Sequence, residues 1–144
     1  MEETLIICVG NKARGDDGAA RYVAELLEDR LPSGVRLVST PQMDIVMAED
    51  VALAGRVIFV DAIRRSSPAV HVQPQAAGLA GTHAHAVDPA GLVALAETLY
   101  DSHTPALLVS VAAPEMGHDE GLSDTAKAAS EEAAFVVLGL LEQD

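Results

Sequence analysis

The sequence predicts a three-layer α/β/α sandwich with a mostly parallel, twisted sheet of about five strands. Short apolar runs alternate along the chain with segments of helical period, which is typical of helices packed on both faces of a parallel sheet. The 144 residues are 49% hydrophobic but only 3% aromatic, so the core must be built from Ala, Val, Leu and Ile. This length predicts one domain over residues 1–144 with an ordinary buried core.

The first strand, turn and helix are the centre of the predicted architecture. Thr4–Val9 is apolar and rich in β-branched residues, as expected of a strand buried on both faces. A helical period of apolar residues begins after Gly18. Asp16 and Asp17 therefore lie in a loop at the carboxyl end of a central strand, where ligand sites of open α/β sheets form. We expect one of them to cap the helix, which leaves the other available for a second role.

The next segment predicts two further strands with a short helix between them. Val35–Val38 is a short apolar run, and Asp44 is expected to cap the helix that follows. Arg56–Asp61 has four consecutive apolar residues and ends on an aspartate, so that carboxylate is expected at the carboxyl edge of the sheet. If this strand neighbours the first one, its carboxylate forms a candidate pair with Asp17.

The second half of the chain predicts two strands and two helices. Ala69–Gln73 alternates between apolar and polar residues, which favours an edge strand. Asp88 followed by proline is typical of a helix start, and Ala106–Val111 is a further buried strand. Ser123 is expected to cap the last helix, whose apolar second half begins at Phe135 and indicates tight packing or an interface.

Charge and composition exclude some classes of partner. Nine basic and 22 acidic residues give a net charge of -13, which repels nucleic acid and anionic lipid. The same charge favours solubility, and it would also attract a cation or a basic peptide. No apolar stretch has membrane-spanning length and no signal-like segment is present, so we expect neither a membrane nor a nucleic acid as partner, and a cytoplasmic location. Cys8 is the single cysteine and is expected to be a core residue in a reducing compartment.

Three side chains could together carry chemistry. Asp17 follows the first strand, Asp61 ends the third, and His85 precedes a helix. Two carboxylates and an imidazole suit a borderline divalent metal such as Zn²⁺ or Ni²⁺. The spacing alone is unspecific, since a loop histidine is more often solvated. His83 and His118 fit less well, because His83 faces away if His85 faces inward and His118 lies in an acidic loop.

The chain resembles the nickel–iron hydrogenase maturation endopeptidases. VGNKARGDDGAA, after the first strand, is similar to the family signature Gly-x-Gly-Asn-x4-Asp-Asp/Glu-Gly-x-Gly. VIFVDA, His85 three residues before an Asp-Pro helix start, and VSVAAPE follow in the family's order, so the resemblance covers nearly the whole chain. It implies a cytoplasmic protease that trims the C-terminus of the hydrogenase large subunit precursor. By position, Asp17, Asp61 and His85 would hold a divalent metal, nickel that arrives with the substrate.

The resemblance leaves the catalytic group open. A carboxylate that the metal does not fully occupy could act as general base, and this would be Asp17, Asp61 or neither. Cys8 and Ala20 stand where the signature has its first and last glycines. Ser39–Met43 replaces a segment that is commonly Asp-Gly-Gly-Thr-like, which implies different substrate selection, with Gln42 as a possible substrate contact.

Two other functions compete with the protease. The first is a non-cleaving, metal-binding accessory protein of hydrogenase maturation, which the altered Ser39–Met43 segment keeps open. The second is a response-regulator-like phosphoacceptor domain, which also has an acidic pair after its first strand and an aspartate ending its third. That domain needs a lysine after its last strand, whereas this chain has Ala-Ala-Pro-Glu after Val111.

Overall fold

The computed structural model describes residues 3–78, 87–117 and 119–143. Within them, five strands form one sheet in the order β2-β1-β3-β5-β4. A 3₁₀ segment spans Lys12–Gly18. The strands are β1 (Thr4–Val9), β2 (Val35–Thr40), β3 (Arg56–Ile63), β4 (Val70–Pro74) and β5 (Ala106–Ala112), and the α-helices are α1 (Ala19–Leu27), α2 (Met47–Leu53), α3 (Pro89–Tyr100) and α4 (Asp124–Leu141).

The predicted three-layer α/β architecture is confirmed. α1 and α4 pack on one face of the sheet, against alternate strand residues such as Ile6 and Ile58. α2 and α3 pack on the other face, against Leu5 and Phe59. Successive strand residues point to opposite faces, so each buried strand supplies both apolar clusters. No helix in the described part of the chain is long and apolar enough to cross a membrane.

The sheet topology contradicts the response-regulator-like alternative. β1, β2, β3 and β5 run parallel, while β4 pairs antiparallel with β5 at the edge of the sheet. A phosphoacceptor domain of that type has the doubly wound order 2-1-3-4-5. Here the last two strands exchange places and the edge strand is reversed. The edge position predicted for the fourth strand is confirmed.

The third strand extends further than the sequence predicts, which changes the position of Asp61. Its ladder with β5 continues through Ala62 and Ile63, because β5 extends beyond the end of β1. Asp61 therefore lies within β3, opposite Val9 of β1 and Ser110 of β5, and not at the end of the strand. It remains level with the carboxyl end of the central strand.

Two helix starts are confirmed and one is wrong. The Asp88 carboxylate accepts the Gly91 N–H at 2.8 Å, and the Ser123 hydroxyl accepts the Ala126 N–H at 3.1 Å. The Asp44 carboxylate instead accepts the Val46 N–H at 2.9 Å, which closes a turn before α2 begins at Met47. An aspartate followed by apolar residues suits a turn as well as a helix cap, since both satisfy a backbone N–H two or three residues on.

The last helix packs less completely than its apolar second half predicts. Ala133, Ala134 and Val137 are buried against the sheet and α1. Phe135, however, is 78% exposed and faces away from the core.

Candidate functional site

The loop after β1 folds back over the end of its own strand. A Cβ at Gly10 would overlap the carbonyl oxygen of Asp17, so glycine is required for this close approach. The Asn11 side chain accepts the Ala13 N–H at 2.9 Å and starts the 3₁₀ segment, which is kinked at Gly15 with φ +57°. The loop predicted here is thus a compact turn, and it fixes the backbone of Asp17 beside β1.

Asp16 is a fully buried carboxylate with a structural set of partners. It accepts the backbone N–H groups of Glu115 at 2.8 Å and Ser123 at 2.7 Å, and the Ser123 hydroxyl at 2.7 Å. Asp16 therefore joins the loop after β1 to the loop after β5 and to the start of α4. The expectation that one aspartate caps α1 is wrong, because the N-cap of α1 is Gly18 and it makes no side-chain bond.

Asp17 remains partly exposed at the carboxyl edge of the sheet. One of its carboxylate oxygens accepts the Asn11 N–H at 3.1 Å, which orients the side chain. The two adjacent aspartates thus have separate roles in the fold. Asp16 accepts hydrogen bonds inside the protein, and Asp17 presents a carboxylate at the surface.

Asp61 is partly exposed, and it projects from β3 on the face that carries Phe59, α2 and α3. Burial, and next the negative charge of Asp17, raise the pKa of its carboxyl from 3.8 to about 7. A hydrogen bond from the Ala62 N–H opposes this change, and the charge of Asp88 adds to it. The structure therefore brings the Asp17 and Asp61 carboxylates together at one edge of the sheet.

His85, the third predicted ligand, lies outside the described residues, as do His83 and His118. Val87 is the first described residue after His85. It is buried, and its N–H donates to the Met43 carbonyl at 3.3 Å. Met43 and Val87 belong to the apolar cluster of Phe59, so Val87 lies on the face of the sheet that carries Asp61.

The carboxylate pair has the donor chemistry for a divalent cation. In the described part of the chain no lysine or arginine forms an ion pair with Asp17 or Asp61. Two close carboxylates without a cation repel each other, and a bound cation removes that repulsion while using oxygen donors that divalent metals accept. Among residues 3–78, 87–117 and 119–143 no group of three or more His, Cys, Asp and Glu side chains could hold a metal, so no third ligand of this kind stands beside the pair in that part of the chain.

Two further residues lie near the site, and the sequence did not indicate either of them as part of it. Asp88 was interpreted only as a helix cap, yet its charge also raises the pKa of Asp61. Arg21 donates to the Ser39 hydroxyl at 2.6 Å and to the Gly10 carbonyl at 3.3 Å, and so joins α1 to the ends of β1 and β2. Its position in the first turn of α1, directly after the loop that carries Asp17, is the signal that could have indicated it. Cys8 is fully buried, which confirms that it is a core residue. This burial raises the pKa of its thiol to about 12.

Solved structures share this fold over nearly the whole chain. A hydrogenase maturating endopeptidase from E. coli, HybD, has a TM-score of 0.81 and 21% identity, and the match covers 98% of this chain and 93% of that one. The chain has the fold of the hydrogenase maturation endopeptidases. A hydrogenase 2 maturation peptidase from a Thaumarchaeota archaeon has a TM-score of 0.72 and 25% identity, with 99% and 100% coverage.

A third structure extends the likeness to another archaeon. The [NiFe] hydrogenase maturation protease HycI from Thermococcus kodakarensis has a TM-score of 0.76 and 21% identity, and the match covers 99% of this chain and 94% of that one. No protein-family model and no curated protein matches the sequence significantly. The shared architecture is therefore far better preserved than the sequence.

Proposed function

We propose that this chain is an endopeptidase that removes a short C-terminal peptide from the nickel-loaded large subunit precursor of a nickel–iron hydrogenase. The observation that carries the proposal is the Asp17–Asp61 pair, which stands without a cation partner among the described residues at the carboxyl edge of the parallel sheet. Support comes from the fold, which the chain shares with solved hydrogenase maturation proteases. The proposal includes the cytoplasmic location expected from the sequence.

The substrate supplies the metal in this proposal. Asp17, Asp61 and His85 would contact a nickel ion that the precursor already carries, and the precursor would keep the remaining ligands. Two carboxylates with mutual repulsion favour such an open site, because an arriving cation is attracted before any protein ligand has to rearrange. Nickel bound there would polarise a nearby peptide carbonyl.

The two carboxylates are not equivalent as proton acceptors. One oxygen of Asp17 is already hydrogen-bonded to the Asn11 N–H. Without a cation, Asp61 exchanges its proton near neutral pH, and a cation at the pair favours its ionised form. An Asp61 oxygen that does not bind the metal would then be placed to accept a proton from an attacking water.

The deciding experiment is the intact mass of a hydrogenase large-subunit precursor before and after incubation with the protein. Loss of one discrete C-terminal peptide, from nickel-loaded but not from nickel-free precursor, is the expected result. Asp17→Asn, Asp61→Asn and His85→Ala should each prevent the loss. Asp29→Asn removes an exposed carboxylate away from the site and should leave cleavage unchanged.

One observation favours a second candidate, the non-cleaving accessory protein. Ser39–Met43 contains no glycine, and its turn is closed by the Thr40 hydroxyl, which donates to the Gln42 carbonyl at 2.7 Å. Side chains in this segment keep a substrate backbone further away than glycines do. Unchanged precursor mass together with retained, nickel-dependent binding would support this candidate and contradict the protease.

A further inference from the structure

Exposed apolar side chains are concentrated on one side of the molecule. Five of the eight large hydrophobic residues that are exposed in the described chain lie on α2, on α3 or in the turn before α2. A groove of about 400 Å³ runs between these helices. The five residues, called here the α2–α3 surface, are Ile45, Val46, Leu53, Leu99 and Tyr100. All of them except Leu53 line the groove together. Contiguous exposed apolar surface of this kind marks interaction sites in soluble proteins.

The turn before α2, which carries Ile45 and Val46, has an ordered backbone fixed by hydrogen bonds and by the buried Met43. Ile45 and Val46 are 59% and 75% exposed, although the residue two positions before Ile45, Met43, is fully buried. The Asp44 carboxylate accepts the Val46 N–H at 2.9 Å, and the Ala48 N–H donates to the Ile45 carbonyl at 3.1 Å. The two apolar side chains are therefore presented by an ordered backbone, which reduces the entropy lost when a partner binds.

The α2–α3 surface and the candidate site lie on the same side of the sheet. Met43 bridges Val87, and both belong to the cluster that contains Phe59, two residues before Asp61. Asp61 projects from the same face of the sheet that α2 and α3 cover. A protein that docks on this surface can therefore extend a chain terminus toward Asp61 without crossing the sheet.

Charge at the groove identifies the kind of partner. Glu49 and Asp50 line it; Asp50 is paired with Arg36 at 2.8 Å, while no described lysine or arginine pairs with Glu49. The whole chain carries a net charge of -13, so a second copy would bring like charges together over an apolar contact. We infer that the α2–α3 surface docks the precursor protein, through a region of that protein with apolar side chains flanked by lysine or arginine. This inference rests on the proposed function.

The test compares variants on opposite faces of the molecule in precursor cleavage. Val46→Ser with Leu99→Gln removes two exposed apolar groups and should raise KM about tenfold while kcat stays unchanged. Phe135→Ser is the matched control, because Phe135 is equally exposed but lies on α4, across the sheet; it should change neither constant. Glu49→Gln should raise KM at low salt and lose this effect at high salt.

The outcomes separate this inference from the proposed function. An unchanged KM in the double variant overturns the inference while cleavage by the wild type upholds the protease. A wild-type dimer that the double variant converts to monomer, with KM unchanged, also overturns it and assigns the surface to a second copy. If the wild type does not cleave, equilibrium binding of the precursor decides: about tenfold weaker binding by the double variant supports the inference, and absent or equal binding overturns it.

Discussion

Replacing Asp61 by asparagine should stabilise the fold while removing a proposed ligand. The pKa of the Asp61 carboxyl rises from 3.8 to about 7 on folding. At pH 8 the folded state therefore holds a charge that is better solvated in the unfolded chain, at a cost of about 4 kcal/mol given about 1.4 kcal/mol per pKa unit. Well below pH 3.8 the carboxyl is protonated in both states and the cost disappears. Stability is therefore lost as pH rises from about 4 through about 7.

The assay is urea unfolding at several pH values. Asp61→Asn keeps an oxygen that can accept the Ala62 N–H, so it should raise the free energy of unfolding by up to about 4 kcal/mol at pH 8 and by little at pH 4. Asp29→Asn, at an exposed carboxylate, should show no such pH-dependent gain. An Asp61→Asn gain that is equal at both pH values, or a loss at pH 8, would refute the reasoning about burial and Asp17.

Three further predictions concern the residues around the pair. Asp16→Ala leaves two backbone N–H groups and a hydroxyl without their acceptor, so it should lower the free energy of unfolding by about 3 to 5 kcal/mol in urea titrations, against about 1 to 2 kcal/mol for Ser123→Ala. Equal losses would contradict this. Burial raises the pKa of the Cys8 thiol to about 12, so this thiol should react with a thiol reagent at pH 8 only after denaturant is added. Fast reaction in the native state would contradict its burial. Ni²⁺ at a hundredfold excess over its Kd should stabilise the wild type by about 2.7 kcal/mol in thermal unfolding, and an equal gain in Asp17→Asn would show that the metal binds elsewhere.

Local signals in the sequence were sufficient to predict the structure wherever a residue interacts with its close neighbours in the chain. β1 has the predicted bounds, since six consecutive apolar or β-branched residues between Glu3 and Gly10 suit a strand buried on both faces. The starts of α3 and α4 follow from Asp88 and Ser123, each of which accepts an N–H three residues later. The carboxyl-edge position of Asp17 and Asp61 followed from strand order in a parallel sheet.

The tertiary structure decided which of two identical side chains is available for chemistry. Asp16 and Asp17 are adjacent and chemically the same, and no local pattern separates them. Asp16 is buried because Glu115 and Ser123, about a hundred residues later, supply its donors. Its neighbour is left at the sheet edge, where its charge acts on Asp61.

The composition of the chain, and the alternation of strand-like apolar runs with segments of helical period, determined its fold class. Apolar residues that recur with periods of 2 and 3.6 can all be buried only if strands and helices pack in layers. They did not determine which apolar surface stays uncovered. Phe135 begins an apolar run that predicts tight packing or an interface, and Val46 lies among apolar residues, yet both side chains are more than 70% exposed. Burial depends on whether another element packs over a side chain, and that depends on contacts between residues far apart in the sequence, which only the folded chain brings together.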